Sequence, residues 1–189
     1  MSRAYRIRVS ESLTRTLRAE DSISTQIELL EVLPASEMTE LLSDELKRRG
    51  YVEVEGKLVR REGGVATEVD PKTGTVTVRA KSEQKEEVRA EQEGYAYDDI
   101  GPSEATVKEG LRRQLQQTLQ KAADQAEAKL QKDTTERLEG ALSGLQQELN
   151  QAVNRVTAEA LKKKAAQIGQ IKQVTEDSQT GSLTITVEV

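Results

Sequence analysis

The stretch Thr67–Ala80 reads TEVDPKTGTVTVRA, and it has a near repeat in Val174–Val189, which reads VTEDSQTGSLTITVEV. Each copy contains Thr-Glu, a short polar run, Thr-Gly and then alternating β-branched residues. Pro71 fixes φ at the second turn position, and Gly74 accepts the left-handed conformation that closes such a turn. The pattern predicts a β-hairpin in each part of the chain, with a long polar helix between the two.

The composition limits the size of the core that the chain can bury. Of the 189 residues, 35% are hydrophobic and 32% are charged, and neither Phe nor Trp occurs. A core must therefore be built from Leu, Val, Ile and Ala. This suits a modest sheet with a long solvated helix better than one thick core. The predicted fold is α+β: a small, mostly antiparallel sheet with one short helix, and a long helical insertion before the last strands.

The composition also narrows the functional classes. Cys and His are absent, which removes thiolate nucleophiles, Cys-ligated zinc and the commonest general base. The sequence has no nucleotide-binding glycine motif and no 18-residue apolar run. A net charge of −5 with mixed signs argues against nucleic-acid binding. We therefore predict a cytoplasmic, non-enzymatic protein with no catalytic, cofactor-binding or metal-binding residues, no transmembrane segment and no nucleic-acid partner.

Alternation of apolar and polar residues marks the N-terminal region as β-structure. Tyr5, Ile7 and Val9 alternate with polar residues, as in a strand with one solvated face. The alternation is weaker over Ser12–Glu20. The stretch Thr25–Leu33 fits either a strand or a turn of helix.

A short helix follows, and it has clear start and stop signals. It is predicted to begin near Pro34 with Ser36 as a capping residue, and to stop at Gly50 after a basic last turn. Its apolar stripe consists of Met38, Leu41, Leu42 and Leu46.

Hairpins are predicted next in the chain. One turns at Glu55-Gly56, and another joins Val65–Val69 to Thr75–Ala80 through the Asp-Pro-x-Thr-Gly turn. Lys81–Glu93 has too few apolar residues to dock a helix, so a polar edge hairpin is predicted there. Gly94–Ser103 reads as a loop.

The next segment is predicted to be helical because no Pro occurs from Ser103 to Ile168. Many of its apolar residues stand eleven apart, such as Leu138 and Leu149. Eleven residues in three turns give a nearly straight seam with about 3.67 residues per turn. The predicted helix-packing residues are Leu111, Leu115, Leu119, Leu130, Leu138, Leu142, Leu145, Leu149, Val153 and Val156.

Two arrangements of this helical segment are open. A helical hairpin would fold back near residues 132–136, where Asp133 or Thr134 can cap a second helix. A single long helix would suit an oligomer. The hairpin is favoured because two Thr-Gly hairpins that share one sheet require the helical segment to return. The predicted domains are a sheet domain (1–102), a helical hairpin (103–169) and a C-terminal β-hairpin that returns to the sheet (170–189).

Two polar clusters are candidate partner-binding sites. The first combines tyrosines, which give rigid amphipathic contact area, with adjacent carboxylates. Ordinary loop and helix-start chemistry also explains it. The second is a lysine run near a helix end, where the helix dipole alone favours cations. The candidates are Tyr95, Tyr97, Asp98, Asp99, Lys162, Lys163 and Lys164.

Three stretches carry a resemblance to a known family. They are Val153–Val187, the phrase EQEGYAYDDIG at Glu91–Gly101 and the helix at Thr39–Gly50. They resemble a small uncharacterised family of cyanobacterial and chloroplast open reading frames. The resemblance covers about half of the chain and treats Glu104–Asn150 as an insertion. The family supplies no catalytic residues. Its relatives occur in gene sets with AAA+ ATPases and FtsH-type membrane proteases.

These features predict an adaptor or scaffold in a bacterial multi-protein system. It would bind protein partners through the helical insertion and loop 94–101, and the resemblance implies an AAA+ ATPase or an FtsH-type protease complex as the partner. One alternative is a nucleotide- or metal-dependent enzyme subunit. Another is a structural coiled-coil homo-oligomer formed through the helices.

Overall fold

The computed structural model of the protein describes residues 4–97, 101–177 and 182–188. Within these ranges the protein is α+β, as the sequence predicts. The helices are α1 (Ala35–Arg48) and α2 (Glu104–Ile168), and the strands are β1 (Ala4–Gln26), β2 (Val52–Val54), β3 (Lys57–Glu62), β4 (Val65–Asp70), β5 (Thr75–Tyr97), β6 (Gln170–Asp177) and β7 (Ser182–Glu188). Five strands form an antiparallel sheet in the order β1-β5-β4-β3-β2, and β6 and β7 form a separate two-stranded sheet.

The chain forms two compact units, and each is built from two separate segments. Unit 1 contains the described residues of Met1–Glu20 and Lys81–Thr135, and unit 2 contains those of Asp21–Ala80 and Glu136–Val189. Strands β1 and β5 and helix α2 therefore supply residues to both units. The division into segments 1–102, 103–169 and 170–189 stays a prediction about domains.

Helix α1 contributes one buried stripe to the core of unit 2. It starts after Pro34, close to the predicted position. The predicted Ser36 cap is wrong, because Pro34 is the N-cap and no side chain caps the helix. Proline can lead into a helix because its φ is already helical and the first N–H groups lack intrahelical partners. The buried apolar side chains of α1 are Met38, Leu42 and Leu46.

The strands of unit 2 confirm the predicted hairpins. β2 pairs with β3 about Glu55-Gly56, and β4 pairs with β5 about the Asp-Pro-x-Thr-Gly turn. Leu58 lies opposite Val69, which lies opposite Val76 on the next strand. Opposite residues share a face of the sheet. This face packs against α1 and the second half of α2 in one apolar cluster.

The turn between β4 and β5 has the geometry that its sequence predicts. The Oδ1 atom of Asp70 accepts hydrogen bonds from the backbone N–H groups of Lys72 (2.9 Å) and Thr73 (3.4 Å). These bonds, chiefly the one from Lys72, lower the pKa of the Asp70 carboxyl. Gly74 has a φ of 69° and donates to the carbonyl oxygen of Asp70 at 2.9 Å. Its own carbonyl oxygen accepts from the N–H of Ile27 at 2.8 Å.

Unit 1 contains a β-ribbon formed by β1 and β5. β1 is longer than predicted, and the polar run Lys81–Glu93 continues β5, so the predicted edge hairpin there is wrong. The run needs no apolar face of its own, because ion pairs connect many of its charges to β1. These cross-strand pairs are Arg8–Glu91, Arg8–Glu93, Arg18–Glu83 and Glu20–Lys81.

The first half of α2 packs on this ribbon. A small apolar cluster joins them, made of Ile7, Val9, Ala96, Leu111 and Leu115. Gly94 permits a close approach: a Cβ atom there would lie 3.1 Å from Cδ1 of Leu111 and 3.3 Å from Cγ1 of Val107. Gly94 to Tyr97 belong to β5, so the predicted loop is wrong for these four residues.

The structure corrects the predicted helical hairpin, because α2 is one continuous helix from Glu104 to Ile168. Thr134 does not cap a second helix. Its hydroxyl donates to the carbonyl oxygen of Leu130 at 2.7 Å and lies 2.8 Å from the hydroxyl of Ser82. A threonine that bonds back to the preceding turn satisfies its hydroxyl without ending a helix. Within each unit the apolar face of α2 packs on strands, so no second helical arm is needed to cover it.

The C-terminal hairpin does not return to the five-stranded sheet, which corrects the second topological prediction. β6 pairs with β7 from Gln170–Glu188 to Asp177–Ser182, and the two form their own sheet. The predicted Thr-Gly turn of this hairpin, residues 178–181, lies outside the described residues.

We expect Gly74→Ala to lower the free energy of unfolding by about 2–4 kcal/mol, since it combines positive-φ strain with a steric clash. The added Cβ atom would lie 2.5 Å from the carbonyl oxygen of Ile27. Gly56→Ala is the matched control, because Gly56 has a φ of 79° and nothing within 4 Å of the added atom. Its loss should be about 1 kcal/mol. Urea unfolding measures both, and equal losses would contradict the role of the clash.

Candidate functional site

A groove on unit 2 lies between α2 and the end of β1, and we call it the α2 groove. Its volume is about 510 Å³. Helix α2 lines it with residues three or four positions apart, which share one side of a helix. The lining residues are Ile23, Thr25, Gln26, Ile27, Glu28, Val78, Leu142, Leu145, Gln146, Leu149, Asn150 and Val153.

The α2 groove has apolar walls with neutral polar side chains among them. Val78 and Leu149 are buried in the core, whereas Ile23 keeps 46% of its surface exposed. Gln146 and Asn150 add exposed amide groups. Among the described lining residues, Glu28 is the one with a charge. The chemistry suits an apolar segment that carries a cation at the Glu28 end.

On another side of α2, a bidentate ion pair connects the helix to the sheet. Arg60 of β3 donates from Nη1 to Oε1 of Glu148 at 2.8 Å and from Nη2 to Oε2 at 2.6 Å. The guanidinium lies 4.7 Å from the centroid of the Tyr51 ring, which is a cation–π contact. Both side chains of the pair are about three-quarters buried. The planar guanidinium therefore fixes the distance and orientation of α2 over β3.

A second carboxylate, Glu45 of α1, continues this network. It is 4% exposed and accepts from Nε of Arg49 at 2.8 Å. The Nε atom of Arg155 on α2 lies 3.6 Å from its other oxygen. Arg49 also donates to the backbone carbonyl of Glu148 at 3.3 Å. Ion pairs thus connect α1, α2 and β3 within unit 2.

Tyr51 lies beneath this network. Its side chain is 97% buried, and its hydroxyl has no hydrogen-bond partner within the described structure. Burial, reinforced by the nearby Glu148 carboxylate, raises the pKa of Tyr51 to about 12. Arg60 and Arg49 oppose this shift without cancelling it.

The sequence analysis identified neither the α2 groove nor the ion-pair network. The sequence does contain a signal for the network. Glu45 falls on the apolar stripe of α1, and Arg60 stands two residues after the buried Leu58, on the same face of the strand. A charge at such a position is expected to have a partner. The groove leaves no such signal, because it depends on which strands α2 covers.

The predicted site residues are distributed over both units. Tyr95 and Tyr97 of unit 1 are 55% and 52% exposed, whereas Asp98 and Asp99 lie outside the described residues. In unit 2, Lys162 forms an ion pair with Glu159 at 3.1 Å, and Lys163 and Lys164 are exposed.

The ten predicted helix-packing residues all lie in α2, and six of them are buried in the two apolar clusters that α2 shares with strands. Seven are buried: Leu111, Leu115, Leu119, Leu138, Leu145, Leu149 and Val156. Leu130, Leu142 and Val153 are partly buried. Leu142 and Val153 line the α2 groove.

Two further observations concern metals and membranes. In residues 4–97, 101–177 and 182–188, no three acidic side chains are grouped so that they could hold a metal ion. No helix in the same ranges has the length and apolar character that crossing a bilayer requires. The cytoplasmic location stays a prediction.

Comparison with known proteins identifies the family. The model of a family described as FtsH ternary system domain X5 matches residues 1–189. The chain belongs to this family. The link to FtsH-type proteases that the resemblance implied is thereby confirmed, and the match includes Glu104–Asn150. No curated protein and no solved structure matches the chain. The family description makes the X5 domain part of an FtsH ternary system, which implies protein partners.

We expect Arg60→Lys in the X5 domain to lower the free energy of unfolding by about 1–3 kcal/mol, because lysine cannot form the bidentate pair or stack on Tyr51 as a plane. Arg61→Lys, at the exposed neighbouring position, should change it by less than about 0.5 kcal/mol. A double-mutant cycle with Glu148→Gln should show a coupling of about 1 kcal/mol or more. A coupling near zero would show that the pair does not hold α2 to the sheet.

The pKa of Tyr51 predicts a loss of stability at high pH. The unfolded chain releases this proton near the ordinary pKa of 10.0, whereas the folded domain keeps it until about 12. The free energy of unfolding should therefore fall between pH 10 and 12, by up to about 1.4 kcal/mol per pH unit from this group. Urea unfolding of Tyr51→Phe should show a shallower fall than the parent chain, and Tyr95→Phe should match the parent. Identical slopes for Tyr51→Phe and the parent would contradict the assignment.

Proposed function

We propose that the X5 domain is a non-enzymatic adaptor that binds a protein partner of the FtsH ternary system through the α2 groove. The observation that supports this most directly is the apolar lining of the groove on a chain that is otherwise strongly charged. Exposed apolar surface of this kind is unfavourable in water, and it commonly marks a binding site for another protein. An AAA+ ATPase or FtsH-type protease component is the proposed partner class, in line with the family description.

The occupant that best fits the α2 groove is an amphipathic helix of the partner. From Leu142 to Val153, α2 runs for about 16 Å, or three helical turns. A helix that packs beside another helix lies about 8–10 Å from it. A partner helix at this distance from α2 would cover Ile23 and Ile27. Its own apolar residues would then repeat at positions i, i+3, i+7 and i+11, as the lining residues of α2 do.

The charge of the groove adds specificity to this fit. Glu28 stands among neutral lining residues, so a Lys or Arg on the partner helix would find one carboxylate to pair with. A partner acid at the same place would meet like charge. Gln146 and Asn150 can bond to polar groups on the rim of the helix.

The ion-pair network supports a preformed groove. The bidentate Arg60–Glu148 pair and the contacts of Glu45 hold α2 at a fixed position in unit 2. A groove wall that does not reorganise on binding loses less conformational entropy, which favours affinity. Tyr95 and Tyr97 remain a second proposed contact surface, on unit 1, because both are about half exposed.

Binding of the full chain to the purified cytosolic part of the FtsH-type protease of the same system tests the proposal, for example by biolayer interferometry. We expect Ile23→Asp combined with Val153→Asp to weaken binding about 100-fold or more, since each substitution places a carboxylate against apolar surface. Glu28→Lys should weaken it about tenfold through charge reversal.

Val52→Asp is the matched control for this experiment. Val52 is 64% exposed on β2 and does not line the α2 groove. It should leave the affinity within about twofold of the parent value. Circular dichroism and thermal unfolding must show that each variant is folded. Undiminished binding by the folded groove variant would show that the α2 groove is not the binding site. A loss of binding in Tyr95→Ala combined with Tyr97→Ala would place the binding site on unit 1.

A further inference from the structure

The C-terminal hairpin, β6 with β7, has one apolar face that lies outside the core. Ile171 pairs with Val187 and Val174 pairs with Ile185, and Leu183 follows on the same side of β7. Of these described side chains, none belongs to either apolar cluster of the chain, and Val174 is 42% exposed. A lone two-stranded hairpin is marginally stable in water, whereas three or more strands with an apolar face are stable. A further strand would therefore stabilise this hairpin.

A β-bulge builds this apolar face. The register shifts between Ile171 and Gln173, so that Lys172 is the extra residue in β6. Without it, Ile171 and Val174 would point to opposite sides of the strand, because side chains alternate. The bulge thus brings five apolar side chains to one side of a hairpin that has little core of its own.

The two free edges of the hairpin differ in how they are protected. β6 contains Lys172 and the bulge, which are features that prevent edge pairing. β7 from Ser182 to Val187 contains no charge, no Pro and no bulge, and it consists mainly of good strand formers. Within the described residues β7 pairs with β6 alone. The unprotected edge of β7 is the one at which a strand can be added.

We propose that the β7 edge binds the β7 edge of a second copy of the chain. The sequence Ser182–Glu188, SLTITVE, is symmetric in character about Ile185. In an antiparallel two-fold pair, Ile185 meets Ile185, Leu183 meets Val187, and Thr184 meets Thr186. These three pairs join like with like on the correct face, the end pair is Ser182 with Glu188, and no two like charges are opposed. The product is a four-stranded sheet with a continuous apolar face, held by an interface of the isologous type.

This interface differs from the helix-mediated oligomer, which the sequence analysis left as an alternative, and no described residue of β6 or β7 lines the α2 groove. A second copy fits better than an unrelated strand, because the two-fold register matches all three residue pairs at once. A partner strand of different sequence would need the same alternation by chance.

Sedimentation equilibrium on the full chain tests the proposal. The parent chain should show a monomer–dimer equilibrium. Thr184→Lys combined with Thr186→Lys should raise the dimer dissociation constant about tenfold or more, since it opposes like charges across the two-fold pair. Thr184→Glu combined with Thr186→Glu should weaken it similarly, and a mixture of the two variants should restore association. Both positions are exposed on the polar face, so the hairpin itself should fold.

Thr175→Lys is the control, because it adds the same charge to the same face on β6, where Thr175 pairs with Thr184. It should leave the dissociation constant within about threefold of the parent value. A parent chain that stays monomeric up to millimolar concentration would overturn the proposal. So would a dimer that the two lysines do not weaken, or lysine and glutamate variants that fail to associate when mixed.

Discussion

The structure depends on the way in which one face of α2 is kept against strands. Eleven residues make three turns of a straight helix, so apolar residues at this spacing stay on one side without supercoiling. In unit 2, Leu138 and Leu149 stand in this relation, as do Leu145 and Val156, and all four are buried. In unit 1, Leu111 and Leu115 pack on the ribbon of β1 and β5. Because strands, together with α1 in unit 2, supply the apolar partner, α2 needs no second arm to hold it.

Charged groups determine where α2 lies on unit 2. Apolar contacts are not directional, so Leu and Val side chains alone would tolerate several positions of the helix over the sheet. The bidentate pair between Arg60 and Glu148 can form in few positions of the helix. Glu45 adds contacts to Arg49 and Arg155. Partly buried ion pairs of this kind add little net stability, because desolvation offsets much of their attraction. Their effect here is to fix geometry, and the α2 groove follows from that geometry.

The surfaces that the fold leaves uncovered indicate how the domain works. In the ribbon of β1 and β5, several exposed charges are paired between the strands, as Arg8 is with Glu91 and Glu93. Two places differ from this pattern. The α2 groove leaves apolar side chains open beside a single carboxylate, and β7, whose one charge is Glu188 at its end, pairs with β6 alone among the described strands. Membership of an FtsH ternary system family implies partners, and these two surfaces are where the physical chemistry favours them.

Turn chemistry and periodicity by themselves determined much of this protein. The Asp70–Gly74 turn, the helix α1 and the α+β class were predicted, because each depends on local conformational preferences or on spacing along the chain. The apolar spacing of α2 was also evident. The surface against which these apolar residues pack was not evident. The same spacing is required when one helix packs on strands and when two helices pack on each other.

Only the tertiary structure decided the arrangement of these elements. It showed that α2 continues past Thr134, that Lys81–Glu93 extends a strand and that the last hairpin forms its own sheet. It also brought Arg60 and Glu148 together, 88 residues apart in the chain, and formed the α2 groove on another side of the helix. These outcomes depend on long-range pairing, in which a residue's partner is chosen by the whole fold. A local sequence pattern indicates which secondary structure a residue favours and whether it is buried. The fold determines which distant residue becomes its partner.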